Sequence, residues 1–297
     1  TNSGDISVGI EREENAFQVE SNSKDSIDIT FQNPKTKTHK SSKLYKSSNP
    51  KGYTDSNGFL LSRQNPKYDK LELYYPLSED TNDKSGHSKD GLGYHIKPGM
   101  PGYIGCSSYF PGPFNSLNFD GSDDYISTTI PTSIFTGTNS FTISLWAKSV
   151  YSSGNGARCI FSTRDFDGSD GTSGFSLFAP GYARSDNDVV MDLWETGAIV
   201  ETSHDVISSN NWFHVVYVHT SSQQKIYING GLSKTTNHSV NFTSSMLSTL
   251  EFGRSKSGSS TYIYYFEGAI SDIRIYNTTL TTDQISDIYN YGTILGP

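Results

Sequence analysis

The pentapeptide FDGSD occurs twice, at Phe119–Asp123 in LNFDGSDDYIS and at Phe166–Asp170 in RDFDGSDGTSG. A hard cation such as calcium wants roughly six to eight oxygens from carboxylates, amides and main-chain carbonyls, and Asp-rich glycine turns bring several together. Asp, Gly and Ser are also the ordinary residues of β-turns, so each copy has two readings. In the second copy Asp165, Asp167 and Asp170 depart from the EF-hand pattern: Ser169 takes the fifth place, Asp170 displaces the glycine, and Ser176 stands where a bidentate Glu is required. That copy reads as a connecting turn, and the first is the better metal candidate.

Sugar recognition needs an aromatic plane for a pyranose face beside groups that hydrogen-bond hydroxyls. Trp194 with Asp192 in VVMDLWETG, Tyr182 with Arg184 and Asn187 in GYARSDND, and Tyr262 and Tyr264 in TYIYYF meet that description. Against each stands packing, the commoner use of a large aromatic. Reaction chemistry has no signature: GxSxG, a P-loop, GxGxxG after a strand and HExxH are all missing. His204, His214, His219 and His238 are scattered, as structural histidines are. Glu195, Glu201, Glu251 and Glu267 are isolated, whereas retaining glycoside hydrolysis needs two carboxyls about 5 Å apart. The chain reads as a non-enzyme.

These residues must be held by strands. From Leu71 onward, short apolar runs such as LELYYPL, SFTISLWAKSV, GFSLFA and WFHVVYVHT recur between Gly, Asn, Asp and Ser clusters, which predicts an all-β sandwich or jelly roll. FTISLWAK alternates, with Phe141, Ile143, Leu145 and Ala147 on the core face and Thr142, Ser144, Trp146 and Lys148 on the other. Asn229-Gly230 in IYINGGL is a type I′ hairpin signal. One helix is predicted, in TLTTDQISDIYNYG, with Thr281 and Gln284 at capping-box spacing and Gly292 as its stop.

Residues 1–69 differ. The first 30 hold seven acids against Arg12 and Lys24, whereas Asn33–Tyr53 hold six lysines and no acid. DISVGIE and DSIDITF alternate like half-buried strands. The basic half reads either as a solvated linker or as part of an arm that docks on a neighbouring subunit. The net charge of −8 argues against nucleic acid as the main partner, and no run approaches the roughly 20 apolar residues of a membrane span. The first residue, Thr1, suggests a processed, exported chain. Cys106 and Cys159 are too few for a disulfide scaffold or a zinc site, and the sequence leaves open whether they are bridged. Acceptor sequons stand at Asn237, Asn241 and Asn277.

Four stretches in order, LYYPLSEDTNDKSGHSKDG, LNFDGSDDYI with SFTISLWAKS, NNWFHVVYVHTSSQQKIYINGGL, and FEGAISDIRIYNTTLTTDQISDIYNYG, resemble the laminin G-like jelly roll of the concanavalin A-like lectin/glucanase superfamily. The resemblance implies two antiparallel sheets over residues 70–297, preceded by the arm, with Trp146 and Trp212 in framework positions. It also implies that the strand around Leu117 lies near the one around Ile273. Asp120 or Asp123 would then approach Asp272, and a structural Ca2+ is expected among the three. Between KDG and LNF the chain departs from the family with a Gly- and Pro-rich insertion, expected to be a functional or oligomeric loop. Function is expected to be recognition or adhesion, extracellular or at a cell or virion surface, with a glycan or other cell-surface ligand. The alternatives are a structural subunit of a filament or virion, homo-oligomeric through the arm, and a glycan-active hydrolase.

Overall fold

The structure, a computed structural model, describes residues 16–23, 26–32, 43–45, 67–77, 80–98, 116–137, 139–151, 157–166, 172–181, 187–257 and 261–294. The chain divides into two units, Thr1–Leu60 and Leu61–Pro297. In the first, Ala16–Ser23 pairs with Ser26–Gln32, which pairs with Lys43–Tyr45. Ser26–Gln32 is the alternating strand expected from DSIDITF. Lys43–Tyr45 places a strand in the lysine-rich half, with Lys43 opposite Asp28. DISVGIE lies outside the described residues.

The second unit is a sandwich of two antiparallel sheets. One runs, edge to edge, Ala198–Glu201, Val190–Leu193, Phe175–Phe178, Cys159–Ser162, Thr249–Phe252, Tyr125–Pro131 and Leu92–Tyr94. The other runs Gly231–Thr236, Gln224–Ile228, Trp212–His219, Phe141–Ser149, Glu267–Tyr276, Leu117–Asp120 and Lys97–Pro98, with Leu71–Tyr75 also paired to Glu267–Tyr276. Leu117 stands opposite Ile270, so the two distant segments are neighbours as expected. The insertion is not structureless throughout: Leu92–Tyr94 and Lys97–Pro98 each extend a sheet, and its residues 99–115 lie outside the described set.

Aromatic side chains fill the space between the sheets. Phe141 stacks on Phe175 at 5.5 Å, and Phe135, Phe161, Phe242 and Phe252 complete the cluster. Each such ring, taken out of water, stabilises the fold by about 1.5–3 kcal/mol. The alternation of FTISLWAK has a different outcome from the usual one. Phe141, Ile143, Leu145 and Ala147 do face the core, but Thr142, Ser144 and Trp146 are buried too. The C-terminal helix, Thr282–Ile294, covers Trp146 through Tyr289, and the segment leading into it bonds Thr142, whose Oγ1 donates to Thr278 O and accepts from Leu280 N–H.

The capping box forms as expected: Thr281 N–H donates to Gln284 Oε1 at 2.9 Å, and Gln284 N–H donates to Thr281 Oγ1 at 3.3 Å. Ile285 and Ile288 bury against Val216, Val218 and Tyr276, and Tyr289 stacks on Trp146 at 5.6 Å. Gly292 does not end the helix, which continues to Ile294. The hairpin turn forms at Asn229 and Gly230, with φ of 50° and 78°. Glycine is doubly required there, since a Cβ on Gly230 would stand 2.9 Å from the Tyr289 ring.

Candidate functional site

The outer face of the seven-stranded sheet is built by strand register. Ser127, Glu251, Ser162, Ser176 and Asp192 are successive cross-strand partners, so they form one polar row while their sequence neighbours enter the core. The hydroxyls of Ser162, Ser176 and Ser255 bond one another at 2.8, 3.3 and 3.2 Å.

Two of the expected sugar-binding groups belong to this layer, and both are engaged in its contacts. Trp194 donates its indole N–H to Ser176 Oγ at 3.0 Å, and the Arg164 guanidinium lies 3.6 Å above its ring. Asp192 shares that face but is 1% exposed. Asp192 therefore offers no open surface to a sugar, whereas Trp194 is half-buried with Arg164 over its ring. Tyr264 packs edge-on against Phe178 at 5.4 Å. Asn187, at φ 53°, donates to Asp205 Oδ1 at 2.7 Å and so shapes its own loop. Tyr182 and Arg184 lie outside the described residues, as do Asp167–Asp170 of the second FDGSD. The strands flanking that copy pair antiparallel, Asp165 opposite Ser173.

Tyr262 is in a different setting. Tyr94 and Tyr125 stack at 4.3 Å with planes 10° apart; Arg254 lies 3.2 Å from the Tyr125 centroid and 3.6 Å from that of Tyr262. Ring, ring, guanidinium and ring make one four-layer stack, partly exposed along its edge. Both faces of Tyr125 are covered, whereas Tyr94 and Tyr262 form the ends. Arg254 gives Nε and Nη2 to the two carboxylate oxygens of Glu251 at 2.9 and 2.8 Å. Burial opposes its charge, but the Glu251 carboxylate outweighs burial and raises its pKa. Sequence reading missed Tyr94, Tyr125, Glu251 and Arg254. The local signal was EFGRS: Gly253, at φ 94°, turns the chain back so that residues three apart on an extended segment can pair.

The metal expectation is partly rearranged. Asp120 and Asp123 come together with Asp124, their ligand oxygens all within 4.8 Å of one another. Asp272 does not join them. Asp120 stands opposite Glu267, so Asp272, five residues further along that strand, is about 16 Å away. An extra residue interrupts the pairing between Ser271 and Arg274, and Asp272, at φ 52°, accepts Nε and Nη2 of Arg274 at 3.1 and 2.8 Å. It is therefore a buried ion-pair partner.

In the Asp120–Asp124 loop, two oxygens are already engaged: Asp120 Oδ1 accepts from Ser122 N–H and Asp124 Oδ2 from Asp120 N–H, at 2.8 and 2.7 Å. Asp123 also faces His95 at 3.2 Å. Burial, and then the nearby Asp120 and Asp123 charges, raise the Asp124 pKa against the hydrogen bond that lowers it. Three carboxylates supply only part of a calcium shell, and the crowded charge is of the kind a cation relieves.

A second arrangement has the look of nucleophile and base. Ser144 Oγ and His214 Nε2 are 2.9 Å apart beneath the helix. Both are fully buried, His214 Nδ1 meets no partner among the described residues, and burial pushes the His214 pKa down to about 3. Without substrate access or a group to orient the imidazole, this pair serves packing. His219 is similar: its Nδ1 meets Gln224 Oε1 at 2.8 Å, and burial lowers its pKa to about 4. Cys159 is buried and free, its thiol pKa pushed up by burial; Cys106 lies outside the described residues.

A family model of the laminin G-like type, described as concanavalin A-like lectin/glucanases superfamily, matches residues 120–286. Among solved structures, domain 4 of AbnA, an extracellular GH43 arabinanase from Geobacillus stearothermophilus in complex with arabinotriose, is similar at TM-score 0.54 and 18% identity, over 74% of this chain and 98% of that one. The binding domain of botulinum neurotoxin DC, in complex with rat synaptotagmin II, is similar at 0.55 and 18%, over 76% and 52%. So is botulinum neurotoxin type C, which depends on interaction with two ganglioside molecules to get into cells, at 0.52 and 19%, over 76% and 52%. This chain spans about half the length of those toxin chains. At such identities the likeness is one of fold. A search of curated proteins returned no match to the chain.

Proposed function

The chain belongs to the concanavalin A-like lectin/glucanases superfamily, and from that premise we propose that it is a non-enzymatic glycan-recognition module acting outside the cell. The observation that carries the reading is the partly exposed Tyr94–Tyr125–Arg254–Tyr262 stack. Rigid aromatic ends beside phenol hydroxyls are what a sugar needs, and a sheet holds them pre-formed, which lowers the ordering cost of binding. Similar folds in complexes with arabinotriose and with synaptotagmin II support recognition as the general role. Glu251, tied into the Arg254 pair, is poorly placed to act as a free acid or nucleophile.

The test is a glycan array on the wild-type protein and on Tyr262→Ala. Truncation is expected to weaken binding by about tenfold, from the loss of one stacking face. Silence on a broad array sinks the reading, and turnover of any arrayed glycan sinks its non-enzymatic part. Calcium is proposed only as a loop-stabilising ion held by Asp120, Asp123 and Asp124.

A second reading, a structural subunit assembled through the N-terminal unit, draws on the three-stranded sheet, in which Ala16–Ser23 and Lys43–Tyr45 each pair on one side only among the described residues. Such edges accept a strand from a neighbouring copy. Light scattering before and after removal of residues 1–60 tests it: an assembly unchanged by truncation owes nothing to the sheet.

A further inference from the structure

We propose that this strip selects neutral glycans over sialylated or sulfated ones, and that Glu251 is the residue that sets the selectivity. The inference rests on the glycan reading above and goes on to the chemistry of the ligand. It follows from how Arg254, Lys256 and Arg158 are used. Arg254 has Nε and Nη2 in a bidentate bond with Glu251, and both faces of its guanidinium lie against tyrosine rings. Lys256 is ion-paired with Asp165. Arg158, before the strand Cys159–Ser162, meets Glu267 at 3.1 Å.

An anionic sugar gives up strong hydration on binding and needs charge-assisted donors in return. Here each of those cations already has its carboxylate, so an incoming sialate or sulfate would have to compete with Glu251 and Asp165 for the charge-assisted bonds that replace its hydration. A neutral glycan meets no such opposition. It can stack on the partly exposed Tyr94 or Tyr262 and bond the phenol hydroxyls, which serve as both donors and acceptors.

The experiment is an array of matched oligosaccharide pairs that differ only by a terminal sialic acid or a sulfate, probed with the wild type, Glu251→Gln and Asp165→Asn. The wild type is expected to retain the neutral member of each pair at least about tenfold better, with binding little changed between about 50 and 500 mM salt. Glu251→Gln, which leaves Arg254 without its counter-charge, is expected to narrow or reverse that ratio in a salt-sensitive way. Asp165→Asn, which releases Lys256, does the same and serves if the first variant does not fold. Preference of the wild type for the acidic member overturns the inference while leaving glycan recognition standing. An unchanged ratio in both folded variants overturns the role of Glu251. No binding by the wild type to any member removes the glycan reading, and this inference with it.

Discussion

Arg254 and Glu251 form a two-point ion pair, 2.9 and 2.8 Å, with only 11% and 8% of their side chains exposed. The planar fork is what allows two parallel bonds and a fit between two rings at once, and an ammonium has neither property. Arg254→Lys is expected to lower stability by about 1–3 kcal/mol, read as the shift of a urea unfolding midpoint, despite conserving the charge. A midpoint within error of the wild type would mean that the stack holds without the fork.

Asp272 and the Asp120–Asp124 loop separate in their response to calcium. Asp272→Asn leaves Arg274 buried without its counter-charge and is expected to cost about 3–5 kcal/mol. Calcium at about millimolar concentration is expected to raise the Tm of the wild type and of Asp272→Asn by the same few degrees, and to leave Asp124→Asn unmoved. If chelator and calcium give superimposable melting curves for the wild type, the ion is not bound.

His214 makes stability depend on pH with a definite sign. Its folded pKa, about 3, lies below the unfolded value of 6.5, so between these the unfolded chain holds more protons and stability falls as the solution is acidified. The loss begins near pH 6.5 and reaches about 2–3 kcal/mol by about pH 4.5. His219, lowered to about 4, adds in the same direction. Asp124 and Asp272, whose pKa values are raised, oppose it, since each disfavours its charged form in the fold and stability from them declines as pH rises. The difference between wild type and His214→Gln across this window isolates the histidine; parallel stability curves would refute the assignment.

Undocking the C-terminal helix is expected to act through one ring. Tyr289→Ala removes the cover from Trp146 and His214 and is expected to cost about 3–5 kcal/mol with a change in Trp146 fluorescence, while Thr281→Ala, losing half the capping box, costs about 1 kcal/mol. Equal effects of the two would place the helix's hold in its cap rather than in its packing.

The two sheets, the Asn229-Gly230 turn and the Thr281–Gln284 cap were legible because each is written in residues close together in the chain: alternation for a half-buried strand, positive φ for a turn, a three-residue reach for a cap. The polar row was not, since Glu251, Ser162, Ser176 and Asp192 become neighbours only through the registers of four strands. Trp194 looked like a sugar platform for the same reason, because nothing near it in sequence announces that Arg164 will cover its ring. Asp272 was misplaced because pairing of two strands does not fix where along them two residues meet: Asp120 stands opposite Glu267, five residues short of Asp272, which turns instead to Arg274 at a one-residue bulge that alternation does not mark. Residue types set which interactions are available to a chain. Register, twist and coverage, which sum contacts between distant segments, set which of them are made.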